Sequence, residues 1–168
     1  MTISMYKASV PVFIHVLGNL SAILDKGAAY AEARKIDPAV LINDRLYPDM
    51  FALVRQVQIA SDAVKGCAAR LAGQDPPSYA DTETTVAELK ERLAKTIAFL
   101  KTFKPEQIDG SEEKTIQLKV AGHPMTFKGL PYLQHYVLPN LYFHTTTAYN
   151  ILRHNGVEVG KRDYLGKF

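Results

Sequence analysis

The 168-residue chain is the size of one domain, and with 47% hydrophobic and 22% charged residues it has the make-up of a packed globular protein, not a disordered tail. Its formal charge of +3 comes from twenty Lys and Arg interspersed with seventeen Asp and Glu, so no basic stripe points to nucleic acid or to a membrane surface. The single cysteine, Cys67, excludes an intrachain disulfide and fits a reducing compartment.

The opening residues, Met1 through Lys7, lack the apolar run of a signal peptide. No stretch approaches the roughly 18 uninterrupted apolar residues of a membrane span. The expectation is a cytoplasmic chain, a single domain over residues 1–168, with neither nucleic acid nor membrane as partner.

Apolar residues at Tyr6, Val10, Phe13, Leu17, Leu20 and Leu24 recur in steps of three and four, which predicts a first long helix over residues 5–34. Pro11 lies early in it, where it either kinks the first turns or marks the true start. Asp37-Pro38 then reads as the N-cap and first residue of a short helical turn. Tyr47-Pro48-Asp49 is expected to open the second long helix, whose seam is Met50, Leu53, Val54, Val57, Ala60, Val64, Cys67, Ala68 and Leu71. Gly73 supplies its left-handed stop.

After the loop Gln74-Asp75-Pro76-Pro77-Ser78-Tyr79, the run Thr85-Val86-Ala87-Glu88 reads as a capping box. It starts a third helix with Val86, Leu89, Leu93, Ile97 and Leu100 on one face, ending before Pro105. Residues 115–128 change period. Ile116, Leu118 and Val120 alternate with polar residues, Ala121-Gly122-His123-Pro124 turns the chain, and Met125 and Phe127 alternate on the return. That is a two-stranded hairpin, too small to stand alone and expected to pack on the bundle as a flap.

The fourth long helix is expected over residues 130–154, with Leu133, Val137, Leu141, His144, Ala148 and Ile151 as its seam and Asn155-Gly156 as its stop. Pro139 lies inside it and frees the carbonyl of His135. In the tail, residues 157–168, Tyr164 and Leu165 are placed to anchor the chain end. Four long amphipathic helices at near-heptad spacing predict an all-α antiparallel four-helix bundle, with the hairpin between the third and fourth helices.

At about 100° per residue, His15 and His135 point away from their helical seams, toward solvent. His123 falls in the hairpin turn and His154 in the last turn of the fourth helix. His144 falls in the middle of an apolar seam, with Asn140 one turn before it and Thr147 and Ala148 one turn after. A core histidine must hydrogen-bond or bind something, because leaving it unpaired costs on the order of 1–3 kcal/mol. The two readings are a neutral imidazole held by a backbone carbonyl or a tyrosine, and a ligand or acid/base group in an interhelical pocket with Asn140 and Thr147.

A catalytic metal needs about three protein ligands. The i±3 and i±4 neighbours of His144 are Asn140, Leu141, Thr147 and Ala148, so spacing assembles no metal site. Cys67 sits on an apolar seam as a small core residue. The run Asn155-Gly156-Val157-Glu158-Val159-Gly160-Lys161 lacks the spacing of a phosphate loop, and no cofactor is expected. Leu138, Tyr142, Phe143, Tyr149 and Leu152 make the fourth helix apolar beyond its seam, which predicts a homodimer through the first and fourth helices.

The stretch Leu138-Pro139-Asn140-Leu141-Tyr142-Phe143-His144-Thr145-Thr146-Thr147-Ala148-Tyr149, with Ile151-Leu152-Arg153-His154-Asn155-Gly156 and Gly160-Lys161-Arg162-Asp163-Tyr164-Leu165-Gly166, resembles the C-terminal signature of an uncharacterised domain family of the DinB/YfiT-like group. Ser9-Val10-Pro11-Val12-Phe13, Asp49-Met50-Phe51 and Arg55-Gln56-Val57 resemble the same family, so the likeness spans nearly the whole chain. The resemblance implies a four-helix bundle, commonly dimeric. It also implies relatives that bind a divalent metal through a histidine on the second helix and a His-x-x-x-His pair on the fourth, some of them thiol transferases or hydrolases. Here only His144 matches a fourth-helix histidine, and the second helix has none.

Two functions follow as expectations. One is a dimeric, metal-free module that binds a small ligand or serves in stress, with a pocket at His144, Asn140 and Thr147. The other is a metal-dependent enzyme of the thiol-transferase or hydrolase type with an altered site that keeps His144 as a ligand. The sequence is compatible with both an enzyme and a binding module.

Overall fold

Pro11 sets the start of the first long helix. A proline in the first turn loses no intrahelical hydrogen bond. The computed structural model describes residues 3–120 and 122–167, and it has α1 at Val10–Arg34, not from residue 5. Residues 5–9 form turns instead, in which the Ser9 hydroxyl donates to the Met5 carbonyl at 2.6 Å. α2, Pro38–Asn43, is the short turn expected at Asp37, whose side chain accepts from the Ala39 N–H at 2.9 Å.

The second long helix, α3, spans Leu53–Leu71 and starts well after the Tyr47-Pro48-Asp49 signal. That tripeptide opens a β-turn, in which the Met50 N–H bonds the Tyr47 carbonyl at 2.9 Å. Proline is as well suited to the second place of such a turn as to a helix start. Gly73, at φ 77°, follows the end of α3 in the left-handed conformation. α4, Val86–Leu100, opens on the capping box, with the Glu88 N–H on Thr85 Oγ1 at 3.2 Å and the Thr85 N–H on Glu88 Oε2 at 2.9 Å. The single turn α5, Pro105–Ile108, follows it.

The hairpin pairs β1, Thr115–Val120, with β2, His123–Lys128, in antiparallel register with Ile116 opposite Phe127. His123 is thus the first residue of β2, paired with Val120, and not part of the turn. Gly122, at φ 84°, provides the reversal. Ala121, expected in the same turn, lies outside the described residues. Ile116 is buried, and the Phe127 ring lies 5.7 Å from Tyr132 and 5.4 Å from Tyr136, so the flap is attached through an aromatic cluster.

The fourth long helix is composite. A short α6, Gly129–Pro131, leads into a π-helical turn, Tyr132–Val137, and then into α7, Leu138–His154. The cause is Pro139, which has no N–H to offer and crowds the carbonyl one turn before it. The backbone answers by widening to an i→i−5 register, in which the Leu138 N–H bonds the Leu133 carbonyl. The Asn140 side chain adds a donor to the Tyr136 carbonyl at 2.7 Å.

The four long helices α1, α3, α4 and α7 enclose one core. Phe13, Leu17, Leu20, Val57, Val64, Leu89, Leu93, Leu141 and Ile151 are buried in it. α3 packs against α4 and α7, and α1 completes the ring by packing against α4 and α7, so α1 and α3 lie diagonally. α2 touches both and spans that diagonal. α8, Lys161–Leu165, lies on α1.

Tyr164 anchors the tail. Its hydroxyl is 3.1 Å from Thr145 Oγ1, and its ring meets Tyr149 edge-on at 6.1 Å. Leu165 itself is 39% exposed, and its backbone makes the contact instead. His15 Nε2 is 2.7 Å from the Leu165 carbonyl, so His15 is half-buried under the tail and not on a solvated face. Among the described residues no helix is long and apolar enough to cross a membrane.

Candidate functional site

α3 and α7 bring two polar residues together in the core. Gln56 and His144 are both buried, 1% and 8% exposed, and His144 Nδ1 stands 2.7 Å from Gln56 Oε1. The Gln56 amide is oriented by its other end, since Nε2 donates to the Phe51 carbonyl at 2.9 Å. Oε1 is therefore the acceptor and Nδ1 the donor, which assigns the proton of a neutral imidazole to Nδ1. Burial, together with the nearby Arg55 charge, pushes the His144 pKa below its ordinary value and favours that neutral form. The Phe143 ring caps the imidazole edge-on at 5.2 Å. Thr147 is buried beyond it, with its hydroxyl on the Phe143 carbonyl at 2.7 Å.

One turn before His144 the interface opens into a cleft of about 230 Å³. Arg55, Ile59, Asp62, Ala63 and Arg70 of α3 form one wall, Tyr132, Tyr136 and Asn140 the other, and Leu118 of β1 closes the side. The α3 residues share a face because they recur at helical spacing. On the opposite wall the wide π turn brings residues four apart nearly above one another. Tyr132 and Tyr136 accordingly stack at 5.8 Å with their planes 16° apart.

Of the three residues expected to form a pocket, Asn140 lines this cleft, while His144 and Thr147 are not among its lining residues. Arg55 connects the two places, lining the cleft while its charge is felt at His144. Arg70 is held against the wall, with Nη1 donating to the Tyr132 hydroxyl at 3.1 Å. Gly66, one turn earlier, makes that possible, because a Cβ there would overlap Nη1.

A second polar centre lies between α3 and α4. Arg92 is 4% exposed and reaches Ser61 Oγ at 2.8 Å, Glu83 Oε1 at 3.0 Å and the Ala80 carbonyl at 3.0 Å. Its Nη2 is 3.0 Å from both Asp62 and Asp81, off ideal hydrogen-bond angles. Burial alone would raise the Glu83 pKa, but hydrogen bonds from Arg92 and Gln58 outweigh it and hold the carboxyl below the usual range. Tyr79 of the same loop has Lys65 Nζ 3.7 Å and Lys95 Nζ 4.2 Å from its ring centre. The sequence reading missed this hub. Its signal was Arg92 three residues after Leu89 and Thr96 three after Leu93, polar residues at seam spacing.

A metal site of the kind the resemblance implies does not fit these residues. The α3 residue facing His144 is Gln56, and the imidazole offers it a donor, not a lone pair. Among the described residues no three His, Cys, Asp or Glu side chains stand together as a metal set. Cys67 is wholly buried, and desolvation pushes its thiol pKa far up, so it has no thiolate to offer.

The family described as "Domain of unknown function (DUF1993)" matches residues 5–165. A crystal structure of a DinB family member protein from Shewanella denitrificans is 46% identical, with a TM-score of 0.88, over 97% of this chain and 92% of that one. No curated protein matches.

Proposed function

We propose that this chain, which belongs to the DUF1993 family and shares the DinB-type bundle, is a metal-independent module that binds a small ligand and works as a two-fold dimer. The observation that carries this reading is the cleft between α3, the π-helical turn and the hairpin, with polar groups converging on apolar walls. Asn140 touches the ligand there. His144 stands behind it and ties α7 to α3 through Gln56, while Thr147, one turn on, is buried with its hydroxyl on the Phe143 carbonyl. The donor set around His144 supports binding without a metal, since it supplies one imidazole and an amide.

The test is a thermal-shift screen of small molecules against chain treated with a chelator. Stabilising compounds are expected whose effect survives the chelator and disappears in Ala63→Phe, which fills the cleft. Stoichiometric zinc or nickel in protein purified without a metal-affinity tag, lost in His144→Ala, would overturn the reading.

A further inference from the structure

We infer, resting on the ligand-binding reading above, that the cleft takes a small aromatic acid whose anionic group pairs with Arg70. The charges that line the cleft are not equally available. Asp62 is engaged by Lys65 and Arg92, and Arg55 by Asp81. Among the described residues no carboxylate pairs with Arg70, whose hydrogen-bond partner is the neutral Tyr132 hydroxyl. A guanidinium in that state presents a planar fork to a carboxylate or phosphate.

The guanidinium is also prearranged. Gly66 leaves a flat strip of helix on which it lies, and Tyr132 fixes one nitrogen, so little side-chain freedom remains to be lost on binding. A glycine inside a helix works against helix stability, and the three atoms nearest to a Cβ placed here all belong to this guanidinium.

The rest of the cleft suits a ring. Ile59, Ala63 and Leu118 are apolar, and the stacked Tyr132–Tyr136 pair offers an aromatic wall. At about 230 Å³ the space falls below the roughly 300–1,000 Å³ of pockets for drug-sized molecules. It holds a ligand of about one ring. Asn140 uses Nδ2 on the Tyr136 carbonyl, which leaves Oδ1 as an acceptor for a hydroxyl on that ring.

The experiment is titration calorimetry of the full chain with benzoate, 4-hydroxybenzoate and phenyl phosphate, beside the neutral benzamide and phenol. The acids should bind at least tenfold more tightly than the neutral compounds. Arg70→Gln should remove that preference. Gly66→Ala should do the same while keeping every charge and leaving the melting temperature unchanged or higher. Equal binding of acids and neutral compounds, or a preference that survives in both variants, overturns this inference and leaves the ligand-binding reading intact. If no compound of either kind binds, this inference is overturned, and the screen in the preceding section then decides the broader reading separately.

Discussion

His144 on α7 donates through Nδ1 to Gln56 on α3, and Gln56 in turn donates to the Phe51 carbonyl just ahead of α3. The relay joins two helices and the loop that leads into one of them. Breaking it from one side leaves a buried partner unpaired. His144→Leu and Gln56→Leu should each cost about 1–3 kcal/mol in urea unfolding. The double variant should cost less than the sum, because it removes both ends of the bond. Strict additivity would mean that the bond contributes nothing to the fold.

The same pair predicts how stability depends on pH. Burial and Arg55 lower the folded-state pKa of His144 below its unfolded value of about 6.5. Between those two values the unfolded chain binds more protons than the folded one, so stability rises with pH across that window. The contribution is complete above about pH 6.5 and is lost as the pH falls through the folded value. Melting temperature should therefore drop on mild acidification, and the His144→Leu variant should show a shallower drop. An equal slope in both proteins would assign the acid sensitivity to other groups.

Arg92 ties the loop between α3 and α4 to both helices through Glu83, the Ala80 carbonyl and Ser61. Removing one member of a buried, hydrogen-bonded charge cluster costs roughly 3–5 kcal/mol when all members are buried. Asp62 and Asp81 are each 38% exposed, so Arg92→Ala should fall at or just below the low end, about 2–3 kcal/mol. Arg55→Ala, which breaks a more exposed pair with Asp81, should cost less than about 1 kcal/mol. Chemical unfolding compares the two, and limited proteolysis should cut the 74–85 loop first in the Arg92 variant.

The long helices were legible because each buries one continuous stripe, and stripes repeat at a period that sequence displays. The capping box at Thr85 and Glu88 and the short turn at Asp37 were legible for a different reason, since each is a local hydrogen-bond pattern with its own residue types. The starts of α1 and α3 were not. Pro11 and Pro48 are compatible with both a turn and a first helical residue, and only the packing of the following residues decides. The π turn was half visible. Pro139 announces a lost hydrogen bond, yet whether the backbone kinks or widens depends on what the freed carbonyls meet. His144 could be placed in the core from its angle alone. Its partner Gln56, 88 residues away, and the cleft that opens beside Asn140 depend on how α3 and α7 dock, which no local pattern carries.

The dimer part of the proposed function rests on what the tail leaves uncovered. The C-terminal segment covers part of the apolar face of α7, since Tyr164 packs on Tyr149 and bonds Thr145. Leu152 is buried against Gly27 of α1. Tyr142 and Phe143 remain on α7, 42% and 56% exposed. Two neighbouring aromatic residues at the surface are the kind of anchor that interfaces use. Light scattering at tens of micromolar chain should report twice the monomer mass, 18.7 kDa for one chain, and Phe143→Glu should halve the observed value by burying a charge at the two-fold contact. Because the His144 ring lies directly under Phe143, Tyr142→Glu is the necessary companion. Loss of the dimer in both variants, with melting temperature retained in Tyr142→Glu, would separate a broken interface from a disturbed core. A wild-type monomer at that concentration would remove the dimer from the proposal and leave the cleft untouched.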